Sequence, residues 1–401
     1  MPTKRMIARS LYLLNTDIGR EALDIATGLD GDIVQRIGVL RKRFPMEIVS
    51  TVISLLTLRE KARGKFTLAD RMLFTREGLE QATSENVAKW RASLFPKNTR
   101  ILDLCCGIGA DSMQLIDERE VVSIDIQPEL AFCTKHNRLL QHPDQNPEVI
   151  CADVQSLPLK ADAAFFDPSR RINGKRTREG EAYSPPLSFF EKISRDIPNV
   201  CVKLSPGMSK EELAALNGRF EFISENGECK QIALWRGEYG PSSPHSATVI
   251  RANKHGVRIE RLERCDDCPP PEIVPVAAWM HEPDPAIIKG ELIPELAQLL
   301  SAGRINERSV WLTTEQSIQT PFVKSYHLIE RLPFNLRNLR RSLKRLNGGV
   351  NVLKCRGTPF HAEDILPDLK GLGDTPMIVI ITPVPGGLDA MICETANQKQ
   401  L

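Results

Sequence analysis

The chain has 401 residues, ten cysteines, and 53 Lys and Arg against 51 Asp and Glu, for a net charge of +2. A 41 % hydrophobic and 26 % charged composition excludes wholesale disorder, and no apolar run approaches the roughly 18 residues of a membrane span. Arg9 interrupts the apolar stretch after the basic start and no small-residue cleavage site follows, so the expectation is a cytoplasmic protein with reduced thiols and no membrane partner.

Residues 1–95 read as a helical region. Ile18, Ala22, Ile25, Leu29, Ile33, Ile37 and Leu40 recur at three- and four-residue steps, and Val49, Ile53 and Leu56 continue the pattern. Glu80–Ser84 leads into a helix through Val87, Trp90 and Leu94, which Pro96 ends.

From Arg100 short apolar runs alternate with helix-length segments. Strands are expected at Ile101–Leu104, Val121–Ile126, Val149–Cys151, Ala163–Phe166 and Val200–Leu204, with helices at Pro128–Leu140 and Ser209–Leu216. That alternation predicts an α/β domain over 96–254 with a parallel sheet covered on both faces. Phe220–Ser224 and Gln231–Trp235, joined through Asn226-Gly227, read as a closing antiparallel hairpin.

Pro, Gly and Ser cluster at Gly237–Pro244 and again at Pro269–Pro271, which places a boundary near residue 255. Beyond it the pattern is α+β: a helix at Ala286–Leu300, a strand at Val310–Thr313, a basic helix from about Phe334 to Leu346, and strands at Val350–Lys354 and Met377–Thr382.

The chemistry concentrates after the first strand, in Asp103-Leu104-Cys105-Cys106-Gly107-Ile108-Gly109-Ala110-Asp111-Ser112. Glycines there let the backbone turn sharply and approach a ligand. Ser112 replaces the third glycine of the dinucleotide fingerprint, so a pyrophosphate reading is weak. Asp125 ends the second strand, where a carboxylate can accept both hydroxyls of a ribose. Asp153 follows the third strand and Asp167-Pro168 the fourth, so four aspartates fall at strand carboxyl ends. Simple capping is the alternative role for Asp103 and Asp153.

The series Asp103-x-x-x-Gly107-x-Gly109, Asp125, Asp153, Asp167-Pro168 resembles the motifs of class I S-adenosylmethionine-dependent methyltransferases, whose fold is a Rossmann-like seven-stranded sheet. Over about residues 65–395 the chain looks more closely like RNA methyltransferases with a ferredoxin-like module, here 255–325, and a THUMP-like RNA-binding module, here 326–401. Leu79–Thr83, Asp167–Arg171 with Val202–Pro206, and Glu282–Ala286 carry that closer likeness. The resemblance implies S-adenosyl-L-methionine as cofactor. Gly107 and Gly109 would border its methionine part and Asp103 its amino group. Asp125 would hold the ribose and Asp153 the adenine amine, with Gln81 or Thr83 closing over it.

On the acceptor side, Asp167-Pro168 stands where amino methyltransferases carry Asn/Asp-Pro-Pro-aromatic, but Ser169 and Arg170 replace the last two residues. Arg170 could stack on a base or hold a phosphate. RNA 5-methyluridine enzymes need a cysteine just before an Asn-Pro after the fifth strand, because C5 must be activated covalently. Here Leu204-Ser205-Pro206 occupies that place and Cys201 reads as core. The expected target is therefore a nitrogen or oxygen of a tRNA or rRNA nucleotide. Asp167 is the expected acceptor-side group, with Lys203 and Arg170 as electrostatic partners.

Eight Lys or Arg and no Asp or Glu lie between Arg331 and Arg356. Leu336, Leu339, Leu343 and Leu346 form one helix face, leaving Arg337, Arg340, Arg341, Lys344 and Arg345 to meet phosphates, with Lys354 and Arg356 extending the surface. A solvated face is the alternative for this run and for Arg170–Arg178 alike. Cys265-x-x-Cys268 lacks a second pair, so no metal is expected, and Asn173-Gly174-Lys175 is either a lid or a surface loop. No obligate protein partner is inferred. Two other readings stay open: an RNA-binding protein with a degenerate methyltransferase core, and a methyltransferase acting on a protein or small molecule.

Overall fold

The computed structural model describes residues 11–169, 171–172, 175–176 and 182–395. By packing the chain divides into two compact units, Met1–Gly218 with Ala233–Gly240, and Arg219–Ile232 with Pro241–Leu401.

The first unit opens with helices α1 (Asp17–Gly28), α2 (Ile33–Leu40), α3 (Met46–Ala62), α4 (Arg76–Gln81) and α5 (Glu85–Ser93). The apolar period running from Ile18 to Leu40 is split into two helices. Gly31 turns at φ 118°, and Asp32 with Gln35 forms a capping box that starts α2 afresh. Then come β1 (Arg100–Leu104), α6 (Ala110–Leu115), β2 (Glu120–Asp125), α7 (Pro128–Gln141), β3 (Glu148–Cys151), β4 (Ala163–Phe166), α8 (Leu187–Asp196), β5 (Asn199–Leu204) and α9 (Lys210–Ala214).

Strands β1 to β5 are parallel and ordered β5-β4-β1-β2-β3. Strand order reverses between β1 and β4, so their carboxyl ends flank the crevice in which open α/β sheets bind ligands. The described part of the N-terminal region, residues 11–95, does not stand apart from this layer. Leu40, Val52, Leu55 and Phe74 share one core with Ile108, Met113 and Cys133 of α6, α7 and the loop between β1 and α6. Gly78 of α4 packs against Ile108 so closely that a Cβ there has no room.

β6 (Arg219–Glu225) and β7 (Glu228–Arg236) form the expected hairpin, turning at Asn226 and Gly227 with φ 52° and 85°. The partition between the units passes through β7, whose second half neighbours β5. The expected seven strands are present, but β8 (His245–Asn253) and β9 (Gly256–Glu263) make nine. β8 runs parallel to β6, and β9 antiparallel to β8. The boundary expected near residue 255 falls in the turn of this β8–β9 hairpin, and both of its strands belong to the second unit. The Pro/Gly/Ser clusters on either side mark the ends of a hairpin rather than a linker, because turn chemistry reads the same in both settings.

The rest of the second unit comprises β10 (Trp279–Pro283), α10 (Pro285–Lys289), α11 (Ile293–Leu300), β11 (Gly303–Arg304), β12 (Leu312–Thr314), β13 (Val323–Pro333), α12 (Leu336–Arg345), β14 (Gly348–Cys355), α13 (Ala362–Ile365), β15 (Thr375–Val384) and β16 (Gly387–Thr395). The single helix expected at Ala286–Leu300 is two, because Glu291 adopts a left-handed conformation at φ 58°. A seven-stranded sheet runs β11-β12-β10-β13-β16-β15-β14. It curls strongly: Glu282 of β10 reaches Lys354 of β14 at 2.8 Å although three strands intervene. One face packs Met280, Trp311, Tyr326 and Ile380, the other Leu339, Leu343, Val379 and Ile392. Among the described residues no helix is long and apolar enough to cross a membrane.

Candidate functional site

The site grows from the end of β1. Cys105, Gly107 and Gly109 all adopt positive φ, at 63°, 60° and 80°. Alternating left-handed residues fold the chain into a tight loop that delivers Gly109 as the cap of α6. The two glycines have different surroundings. A Cβ on Gly107 would meet nothing within 4 Å, so the space before that residue is open. A Cβ on Gly109 would come 3.0 Å from the backbone of Thr134, whose hydroxyl donates to Gly107 O at 2.8 Å. Gly109→Ala is therefore expected to cost about 1–3 kcal/mol of stability, read as a lowered denaturant midpoint at unchanged slope.

Asp103 is completely buried. It does not cap: the Ser112 hydroxyl donates to Oδ2, and Oδ1 has no partner among the described residues. Burial, with Asp111 and Asp167 nearby, raises its pKa to about 7 against the opposing Ser112 hydrogen bond and Arg138 charge. Asp125 spends both oxygens on backbone donors, Oδ2 on Gly107 N–H at 2.9 Å and Oδ1 on Gln127 N–H at 2.8 Å. Burial raises its pKa as well, and those two N–H groups pull against the rise. The half-buried Asp153 does cap: its Oδ1 accepts from Gln155 N–H at 2.9 Å at the head of a short 3-10 turn.

Asp167, just past β4, pairs through Oδ2 with Lys203 Nζ at 2.6 Å. The Lys203 side chain, on β5, is only 4 % exposed. Its ammonium also donates to Thr83 Oγ1 at 3.2 Å and to the Gln81 carbonyl at 3.3 Å. Gln81 thus joins the cluster through its main chain, and Thr83 through a buried hydroxyl. The Cys105 thiol reports how the carboxylates converge: burial first, then Asp125, Asp167, Asp103 and Asp153 push it well above the ordinary thiol range. Four aspartates drawn from four strand ends share one neighbourhood. Arg170 lies outside the described residues, as do Asn173, Gly174 and Arg178.

The sequence did not reveal the groups behind these aspartates. Arg91 is 1 % exposed, pairs with Asp111, and lies over the Phe165 ring at 4.2 Å. Arg138 enters from α7 at the back of β2. A faint signal was available: Thr134, Asn137 and Arg138 put a polar stripe on the buried face of α7.

In the second unit α12 carries the basic face. Leu339 and Leu343 are buried, Asn335 caps the start, and Arg337, Arg341, Lys344 and Arg345 are exposed with Arg340 half-buried. Arg345 is held by Glu330 at 2.7 Å, whereas Arg337, Arg340, Arg341 and Lys344 have no carboxylate partner among the described residues. Lys354 and Arg356 do not extend this surface. Lys354 sits opposite Ile380, on the sheet face away from α12, and both cations bind the buried Glu282, at 2.8 and 3.0 Å. A strand's alternation decides this, and the run of charges along the sequence conceals it. Cys268 contacts Gln298 at 3.1 Å, and His281 is wedged between Ser325 and Thr314 at 2.9 and 2.7 Å.

No family model matches the chain. It is 28 % identical over 355 residues to an S-adenosylmethionine-dependent methyltransferase of Mycobacterium tuberculosis strain H37Rv, described as uncharacterized, covering 85 % of this chain and 95 % of that one. The counterpart in strain CDC 1551 / Oshkosh matches equally. The crystal structure of a proposed methyltransferase from Porphyromonas gingivalis W83 superposes with a TM-score of 0.77 at 18 % identity, over 99 % of this chain and all of that one. At that identity the superposition speaks for the fold.

Proposed function

We infer that the chain is an S-adenosylmethionine-dependent methyltransferase, and we propose that its acceptor is a nitrogen or oxygen of an RNA nucleotide, in tRNA or rRNA. The observation that carries the reading is the convergence of Asp103, Asp125, Asp153 and Asp167 on the loop of Gly107 and Gly109. The residues present fit the cofactor. Among the described residues nothing fills the space before Gly107, and the buried Asp103 Oδ1 is unpartnered. A carboxylate-rich crevice suits a ligand that carries a sulfonium and an ammonium.

In this reading Gly107 and Gly109 border the methionine portion, Asp103 receives the ammonium, Asp125 holds the ribose and Asp153 the adenine amine. The exposed Ile126 adds apolar surface beside Asp125. When bound, the cofactor supplies an electrophilic methyl group for in-line displacement, so the protein's task is positioning and exclusion of water. Asp167 accepts a hydrogen bond from the N–H or O–H of the acceptor, and Lys203 fixes that carboxylate while tying it to Thr83. Cys201 is completely buried on β5, so its thiol does not stand ready for covalent activation of a C5 carbon.

RNA binds α12, in the region read as THUMP-like: four cations without carboxylate partners among the described residues project from a helix anchored by Leu339 and Leu343. Neutralising Arg340, Arg341 and Lys344 together is expected to weaken RNA binding across all sequences, lowering the salt slope by about 1 for each lost phosphate contact. A salt titration by fluorescence anisotropy measures this, and an unchanged slope removes α12 from the interface. The acceptor class is tested by methyl incorporation from labelled S-adenosylmethionine into bulk RNA, protein and small-molecule extract. Label in RNA supports the proposal, and label only in the other fractions replaces it.

A further inference from the structure

Behind Asp103 runs a buried chain of hydrogen bonds with a fixed direction. Arg138 Nη1 donates to Ser123 Oγ at 2.9 Å, Ser123 Oγ lies 2.8 Å from Ser112 Oγ, and the Ser112 hydroxyl donates to Asp103 Oδ2. Arginine can only donate, and Ser112 has one hydrogen, already given to Asp103. Ser123 must therefore donate to Ser112. Every member is sealed from water: Arg138 is 3 % exposed, and Ser112, Ser123 and Asp103 are completely buried. Register places the chain. Ser123 of β2 stands directly opposite Asp103 of β1, so the two side chains share one sheet face.

We propose that Arg138 is a positioning residue for cofactor binding. Through Ser123 and Ser112 it holds Asp103 oriented and favours its ionised form, with Oδ1 left free to meet the cofactor's ammonium. This rests on the reading of Asp103 given above. A cation at one end and a carboxylate at the other polarise the chain in one sense, and a low local dielectric strengthens each bond.

The charges facing Asp103 make that support necessary. Asp111 from α6 and Asp167 after β4 both disfavour its ionisation. Asp111 is paired with Arg91, and Asp167 with Lys203. Asp125, the last residue of β2, spends its oxygens on Gly107 and Gln127. The Cys105 and Cys106 thiols are pushed well above the ordinary range. Arg138 is the cation that acts on Asp103, and the Ser112 hydrogen bond works in the same sense. With the Asp103 pKa near 7, a neutral carboxyl meets the ammonium on the acid side and an anion on the alkaline side. Affinity then rises with pH through neutrality, and binding releases a proton near pH 7.

The experiment is calorimetric titration from pH 6 to 8.5 with two probes, S-adenosylhomocysteine, which carries the ammonium, and 5′-methylthioadenosine, which keeps the nucleoside and lacks it. In the wild type the first should gain affinity with pH and the second should stay flat. The nucleoside probe also isolates any titration at the ribose carboxylate Asp125. In Arg138→Met the midpoint for S-adenosylhomocysteine should move up by about one pH unit, a loss of about fivefold at pH 7 that approaches tenfold at pH 6, with Arg138→Lys in between. Arg138 also holds the Val121 and Glu148 carbonyls at 3.0 Å, so Arg138→Met can lose stability for that reason alone. Ser123→Ala removes only a hydroxyl and is expected to shift the midpoint in the same direction. A lesion confined to folding would lower affinity for both probes equally at every pH. Wild-type midpoints in both Arg138→Met and Ser123→Ala overturn the proposal. If Asp103→Asn binds S-adenosylhomocysteine as the wild type does and both wild-type profiles coincide, the reading of Asp103 itself fails.

Discussion

Asp167→Asn is expected to lose methyl transfer by about 10²- to 10⁴-fold while binding S-adenosylmethionine as tightly as the wild type, the magnitude of removing a positioned proton acceptor. The amide keeps the shape of the side chain and removes the charge that holds Lys203 at 2.6 Å. Asparagine is a better probe than alanine here. Either change removes the ammonium's counterion, and breaking a buried pair costs about 3–5 kcal/mol, but alanine also removes the oxygen that accepts from Lys203. Thr83 and the Gln81 carbonyl would offset part of that, since both already accept from Lys203. Single-turnover rates with saturating cofactor, beside a calorimetric Kd, separate the two effects. Equal turnover in Asp167→Asn removes this residue from the chemistry. A matched loss of affinity would instead move it into the cofactor site.

Asp125→Ala should abolish measurable cofactor binding. The side chain braces Gly107 and Gln127 as well as offering itself to the ribose. Hydrogen bonds to a charged group are worth about 1.5–3 kcal/mol each, so losing two ribose contacts alone weakens binding by about 10²-fold or more. Disorder of the glycine loop adds to it. Calorimetry with S-adenosylmethionine at pH 7.5 checks the loss, and wild-type affinity in this variant would displace the ribose site from β2. A wild type that binds no cofactor would favour an RNA-binding protein with a degenerate core.

How much of this was legible in the sequence differs from one feature to the next. The glycine loop and the four aspartates are local signals: each aspartate lies at or just beyond the end of a strand whose apolar run precedes it, so position along the chain already implies position at the sheet's edge. The Asn226-Gly227 turn was readable for the same reason, because its two left-handed residues are adjacent. The strands at His245–Asn253 and Gly256–Glu263 were missed, because Ser, Thr and alternating Arg and Glu dilute their apolar content and the flanking prolines looked like a linker. The split of Ala286–Leu300 was hidden because Gly290-Glu291 interrupts neither the apolar period nor the composition.

What the sequence by itself determined is therefore whatever a contiguous stretch encodes: the change from helical to strand period near Arg100, the tight turn at Gly107 and Gly109, the strand-end carboxylates, and the apolar stripe that anchors α12. The tertiary structure alone decided which charges face one another. Lys203 meets Thr83 across 120 residues of chain, Arg138 reaches Ser123 across 15, and Lys354 turns from α12 to Glu282. Those partnerships depend on strand register and on which face of a sheet is buried. A one-residue slip in register reverses every side chain, and burial turns a solvated charge into one that must find a partner. Neither is written in any local run of residues.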